Sequence, residues 1–229
     1  MQKYVRIIML LLVFVLAGGC GGKDQSSPAG ETAEEEKKPL KAVFYGASNF
    51  GRWENLTDLF PELEAVNTAI NGSKDQGQME KAPERVYAYE PDLVFIQTGT
   101  NDLADGMSLE EALEGKEVYF KTLRENLPLA EFVIMAPLLQ PGRPDSRADA
   151  RKVAEWIHEW CDRNDGFYCI DTTEEMLKEE GPEELSAGDG KYCDPELFVE
   201  DGVHLSEKGR AVWEKAIRNF LEENAYIEK

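Results

Sequence analysis

The chain is 229 residues long, with 25 Lys and Arg against 45 Asp and Glu, a formal net charge of −20 and 42% hydrophobic residues. So large an acidic excess excludes binding of nucleic acid or of an anionic membrane surface through the folded part of the chain, since both demand a basic face. Length and apolar content suit one ordinary globular domain with appendages.

The first appendage is N-terminal. MQKYVR carries two positive charges, IIMLLLVFVLAGG follows with none, and Cys20 comes next. A short basic region, a short apolar run and small residues mark residues 1–19 as an export signal. The run is shorter than the roughly 20 apolar residues that cross a bilayer as a helix. The cysteine after LAGG resembles a bacterial lipobox, with Cys20 as the lipidated first residue. Leu16 stands one place too far out and Ala17 occupies its position, so release as a plain secreted protein is the alternative. Residues 20–39 are Gly, Ser, Pro and Glu rich and bury too little to offset ordering entropy. They read as a flexible tether between lipid and a domain spanning 40–229. The expectation is an exported protein at the bacterial cell surface or in the periplasm, held to the membrane by a lipid anchor only.

From Leu40 short apolar runs alternate with longer amphipathic ones. Strands are predicted at 41–45 (KAVFY), 65–70 (AVNTAI), 92–98 (DLVFIQT), 131–136 (EFVIMA) and 167–171 (FYCID). Their near-continuous apolar character suits a parallel sheet covered on both faces. Helices are predicted at 78–89, 108–126, 148–163 and 206–224. Ser108 with Glu111 three residues on forms a capping box, and Ser206 is a second N-cap. Trp213, Ile217, Phe220 and Leu221 share one helical face and read as core. The alternation predicts an α/β fold, a three-layer α/β/α sandwich with a mostly parallel sheet. Residues 172–200 read as a long irregular surface excursion.

Polar residues gather just past the predicted strand ends. Ser48 follows the first strand, Gly72 the second and Asn101 the third, while Asp201 and His204 precede the last helix. Strand C-termini of one parallel sheet meet at one edge, where ligands bind. The group has the parts of nucleophilic catalysis. A serine needs a base to take its proton, a histidine serves near neutrality, and a carboxylate fixes the imidazole tautomer. The Ser48 and Gly72 backbone N–H groups and the Asn101 amide form a candidate oxyanion hole. Asn49 and Trp53 are candidates for lining the substrate pocket. His158, the only other histidine, lies inside a predicted helix and reads as structural.

Gly46-Ala47-Ser48, Asn67 with Gly72, GTND at 99–102 and DGVH at 201–204 together resemble the blocks of the GDSL-type, or SGNH, hydrolases, in the right order. The resemblance implies the flavodoxin-like five-stranded fold of that family. It also implies Ser48 as nucleophile, His204 as base, Asp201 as its orienter and an oxyanion hole of Ser48, Gly72 and Asn101. Ala47 stands where the family has Asp, and Ala69 where many members have Gly; the first removes a polar support from the nucleophile loop. The implied activity is a serine esterase forming an acyl-enzyme. Short-chain, acetyl esters on a carbohydrate or cell-envelope glycan are the favoured substrate. The alternatives are a lysophospholipase- or lipase-type hydrolase, and a catalytically silent surface carbohydrate-binding protein.

No metal or other cofactor is expected, since the cysteines lack ligand spacing and no phosphate-binding glycine loop occurs. The expected partner is a small-molecule or glycan ester. Export permits a disulfide among Cys161, Cys169 and Cys193, and both Cys161–Cys169 and Cys169–Cys193 remain open.

Overall fold

The computed structural model describes residues 38–228. The expectations for residues 1–37, including the export signal and lipidation of Cys20, lie outside the described residues. Five strands form one parallel sheet: β1 (Lys41–Gly46), β2 (Glu64–Asn67), β3 (Leu93–Gln97), β4 (Glu131–Met135) and β5 (Phe167–Ile170). The order across the sheet is β2-β1-β3-β4-β5. All five overlap predicted strands, although β2 ends at Asn67 where the predicted strand runs to residue 70, and the fold is the expected α/β sandwich.

The reason for the apolar runs is visible in the side-chain alternation. Val43 and Tyr45 of β1, Val94 and Ile96 of β3, and Phe132 and Ile134 of β4 enter one core. There they meet α2 (Asp75–Arg85), α4 (Leu109–Asn126) and α5 (Arg147–Arg163). Ala42 and Phe44, Leu93 and Phe95, and Val133 and Met135 enter the other core, against the short α1 (Ser48–Gly51) and the C-terminal α6 (Glu207–Glu223). A strand covered on both faces cannot alternate with polar residues. The α6 stripe is core as expected: Trp213, Ile217 and Leu221 are fully buried, each contributing about 1.5–3 kcal/mol of apolar burial.

Helix ends follow the sequence where the cap is local. Ser108 and Glu111 form the capping box of α4, and the Ser206 hydroxyl accepts from Gly209 N–H at the start of α6. They depart from it where the cap is tertiary. Helix α2 begins three residues before the predicted start, because the Asp102 carboxylate, from the short α3 (Thr100–Ala104), accepts from Asp75 N–H at 3.3 Å. Residues 172–200 also need correction. They contain a small antiparallel sheet of β6 (Leu177–Lys178), β7 (Ser186–Gly188) and β8 (Lys191–Cys193), in the order β6-β8-β7. These strands are too short to leave a periodic signal. No helix among the described residues is long and apolar enough to cross a membrane.

The order across the sheet reverses between β1 and β3, where successive crossovers leave in opposite directions. In open α/β sheets such a reversal is where ligand crevices form at the strand C-termini. Ser48 follows β1 and Asn101 follows β3, so the topology brings both to this point.

Candidate active site

Strand β1 must end in a glycine. Gly46 has φ +128°, and a Cβ there would lie 2.1 Å from the carbonyl oxygen of Gln97 on β3. The chain turns at once into α1, which carries Ser48 on its first position. Ala47 N–H donates to Gln97 Oε1 at 3.1 Å, tying the turn to the neighbouring strand.

The second loop is fastened to the same place. Ile70 N–H and the Ser73 hydroxyl both donate to Gly46 O, at 2.8 and 3.0 Å. The Ser73 N–H closes a turn on Ile70 O. Asn71 and Gly72 form the tip of that turn, and Gly72 takes φ +75°, a conformation without steric cost only for glycine. Asn67 holds the strand-end side, donating to Phe50 O at 2.8 Å. Asn101 arrives from α3 and donates from Nδ2 to Ser73 O at 2.9 Å. The three loops are thus mutually bonded.

Asp201 and His204 reach them on a tight turn before α6. Phe198 and Leu205 form an antiparallel bridge, and Val199 N–H donates to His204 O at 2.8 Å. Inside the turn Asp201 Oδ1 accepts from the N–H groups of Val203 and His204, at 2.8 and 2.9 Å. An aspartate organising the backbone that follows it is a common turn device. Here it also places the other carboxylate oxygen, Oδ2, 2.6 Å from His204 Nδ1. His204 Nε2 lies 2.9 Å from Ser48 Oγ. With Nδ1–H directed at the carboxylate, Nε2 is the acceptor for the serine proton. Burial works to raise the Asp201 pKa. The bonds it accepts from His204 and Val203 outweigh that and hold it at about 2, so the carboxylate stays ionised at any ordinary pH. Arg52 Nη1 lies 3.1 Å from the same Nδ1, one helical turn after Ser48.

Ser48, Gly72, Asn101, Asp201 and His204 therefore gather on one group of bonded loops. Asn49 and Trp53, the two pocket-lining candidates, are both buried and engaged within the fold. Asn49 is 4% exposed, and its Oδ1 accepts from Leu205 N–H at 3.0 Å, locking the nucleophile helix to the histidine turn. Trp53 is buried in the core shared with Phe50 and Leu56. Burial of a polar Asn next to a nucleophile is not legible from one sequence.

Beneath the loops lies a buried ionic cluster that the sequence reading missed. Lys116 of α4, with no exposed side-chain surface, places Nζ 2.5 Å from Asp75 Oδ2 and 3.4 Å from Thr98 Oγ1. Thr98 also donates to Asp75 Oδ1. Asp102 lies beside them; burial and then the charge of Asp75 push its pKa up to about 6, against the pull of Lys116. Among the described residues no group of His, Cys, Asp and Glu side chains is arranged to hold a metal ion. Cys161, Cys169 and Cys193 are all free thiols, and burial raises the pKa of each. His158 pairs with Asp171 at 3.0 Å on the sheet's far edge.

A family model described as GDSL-like Lipase/Acylhydrolase matches residues 35–212. The chain belongs to this family. It is accordingly an ester hydrolase. Solved structures agree on the fold. A GDSL-like lipase from Bacteroides thetaiotaomicron is 18% identical with a TM-score of 0.67, over 80% of this chain and 88% of that one. An acetyl xylan esterase, AlAXEase, is 16% identical with a TM-score of 0.64, over 80% and 100%. A lipase/acylhydrolase from Enterococcus faecalis is 18% identical with a TM-score of 0.63, over 80% and 96%. No curated protein matches the chain.

Proposed function

We propose that the chain is a serine esterase that removes short acyl groups, chiefly acetyl, from a carbohydrate or cell-envelope glycan through an acyl-enzyme. The observation that carries the mechanism is the relay from Ser48 Oγ to His204 Nε2 (2.9 Å) and from His204 Nδ1 to Asp201 (2.6 Å). His204 takes the proton of Ser48 as its oxygen attacks the ester carbonyl, and Asp201 holds the imidazolium so formed. The backbone N–H groups of Ser48 and Gly72 and the Asn101 amide receive the developing oxyanion. His204 returns the proton to the leaving alcohol, then activates water to hydrolyse the acyl-serine. No step calls for a metal.

Two observations favour a short acyl group. Two cavities, of about 400 and 330 Å³, include neither Ser48 nor His204 in their linings, and the second meets the proposed relay only at Asp201. A long chain therefore gains no enclosed apolar bed at the nucleophile from either. In the segment flanking the histidine turn, LLQPGRPD at 138–145, Leu138 and Leu139 are buried, so its accessible part, PGRPD, offers no large apolar side chain to a long acyl group. The likeness in fold to an acetyl xylan esterase is consistent with this reading.

The test is turnover of acetyl, butyryl and octanoyl p-nitrophenyl esters and of acetylated xylan, with fluorophosphonate labelling of the protein and of Ser48→Ala. Labelling confined to the unmutated protein, with acetyl preferred, is expected. Octanoyl preference removes the short-acyl part, and absence of both labelling and turnover removes the catalytic part in favour of a silent binder. The proposed site of action is the outer face of a membrane, with Cys20 as lipid attachment point. Incorporation of labelled palmitate that is lost in Cys20→Ala tests it.

A further inference from the structure

The segment after β4 forms a strap that is bonded on one side to the proposed catalytic loops and on the other to Arg147. Gln140 Nε2 donates to Val203 O at 2.9 Å, and Gly142 N–H donates to Gly202 O at 2.9 Å, so the strap grips the Asp201–His204 turn. A Cβ on Gly142 would lie 2.2 Å from Asp201 O, so the approach permits only glycine. Arg147, buried at the start of α5, donates to the carbonyls of Gln140 (3.0 Å) and Pro141 (2.7 Å), and to those of Glu184 and Ser186 in and beside the small sheet. The strap is therefore held rigidly from behind. At its end Arg143 reaches the other side of the site, where Nη1 donates to Thr100 O at 2.9 Å and to Asn101 Oδ1 at 3.1 Å.

Building on the esterase reading above, we infer that Arg143 is the positioning residue for the Asn101 oxyanion donor. An amide side chain offers one acceptor and two donors on a freely rotating group, and only one orientation aims a donor at the oxyanion. Asn101 is fixed at both ends. Its Oδ1 faces a guanidinium, which can only donate; its Nδ2 faces Ser73 O, which can only accept. This pins the amide against a flip and leaves the second Nδ2 hydrogen free for substrate. The guanidinium also draws electron density through the amide, and such chained hydrogen bonds strengthen one another in a low-dielectric site. Through that amide, and only through it, the positive charge favours the transition state over the neutral ester. The contribution appears in the transition state and leaves ground-state binding unchanged.

The experiment is a double-mutant cycle on the full chain with p-nitrophenyl acetate. Asn101→Ala lowers kcat about 100- to 1,000-fold, the usual loss of one oxyanion donor. Arg143→Met lowers kcat by roughly a tenth to a half of that loss on a logarithmic scale with KM unchanged, and adds almost nothing in the Asn101→Ala background, because coupled residues are not additive. Arg143→Lys keeps a cation that reaches one of the two oxygens and recovers part of the rate. Guanidinium ion at sub-denaturing concentration restores activity to Arg143→Ala but not to Arg143→Ala/Asn101→Ala, a pattern that a purely structural role does not produce. Losses that multiply, or a wild-type kcat in a folded Arg143→Met protein, overturn the inference and leave the esterase reading standing. If the unmutated chain neither hydrolyses the ester nor labels with a fluorophosphonate, the esterase reading fails and this inference falls with it. Should Arg143→Met not fold, as judged by its melting transition, the Arg143→Lys rate and the guanidinium rescue decide alone.

Discussion

Replacing Lys116 by Met tests whether the ionic cluster under the site is held by that one cation. Met fills most of the same volume and removes the charge. Lys116 Nζ lies 2.5 Å from Asp75 Oδ2, both side chains are buried, and Asp102 stands next to Asp75 with its pKa already raised to about 6 by burial and by that neighbour. Without the cation the cluster holds two carboxylates and no compensating charge. Breaking a buried pair by removing one partner costs about 3–5 kcal/mol, a large part of the roughly 5–15 kcal/mol that stabilises a typical domain. In urea, with a slope of about 2–3 kcal/mol/M, the midpoint falls by about 1–2.5 M. Four tryptophans, with Trp53, Trp160 and Trp213 buried in the two cores and Trp156 packed against one of them, report the transition by fluorescence. Because the cost is that of stranded charge, Lys116→Met/Asp75→Asn recovers most of it, and the single variant loses less at pH 5 than at pH 8. A loss below about 1 kcal/mol, or one that neither the second substitution nor acid relieves, refutes the reasoning: typical point substitutions already fall near that size.

Other substitutions probe the remaining links. Gly46→Ala forces a φ of +128° on alanine and drives its Cβ to within 2.1 Å of Gln97 O; the strain alone costs about 1–3 kcal/mol, and both stability and ester turnover drop, measurable by thermal melting and rate. Asn49→Leu keeps the volume but leaves Leu205 N–H without its partner, at about 1–3 kcal/mol, and kcat falls because the histidine turn loses its tie to α1. Asp102→Asn changes the pH dependence of stability. The folded pKa of about 6 lies above the ordinary carboxylate value, so between those pH values the folded state binds more protons than the unfolded one. Stability is therefore fully present at about pH 4 and declines as pH rises through about 6, by roughly 3 kcal/mol for a shift of about two units. Urea midpoints of the Asn variant lack this slope; an identical slope in both proteins counts against the assignment.

The strands, the four long helices and the conjunction of Ser48, Asp201 and His204 were all legible before any coordinates, because each leaves a mark in local order. Doubly covered strands are apolar throughout, capping boxes have fixed spacing, and an aspartate that accepts from the backbone N–H groups two and three residues on sits three before its histidine. What was not legible depends on partners far away in sequence. Asn49 and Trp53 differ in chemistry, yet both are buried, since α1 packs under the site rather than around it. Helix α2 starts early because of a carboxylate that lies 27 residues further on. Lys116 reads as one more charge on an amphipathic helix, and only the folded chain turns it inward. The small sheet at 177–193 has strands of two and three residues, below any period.

Ala47 is the departure from the family pattern that most threatened the catalytic reading, because an alanine offers no side-chain bond to steady the nucleophile. The structure holds the turn by other means. Ala47 N–H is bound by Gln97, Gly46 O receives both Ile70 N–H and the Ser73 hydroxyl, and Asn49 grips Leu205. Each partner is a neutral amide, hydroxyl or peptide group. An ionised carboxylate in a buried position beside Ser48 needs its own compensation, and its charge acts against a negative charge forming on the substrate oxygen. With alanine at 47 the nucleophile's immediate supports carry no charge. The site's formal charges stand further out, with Asp201 behind the imidazole, Arg52 beside it and Arg143 behind the Asn101 amide. In a chain with a net charge of −20, an oxyanion therefore develops among neutral donors backed by a guanidinium, which is the electrostatic condition that the proposed reaction requires.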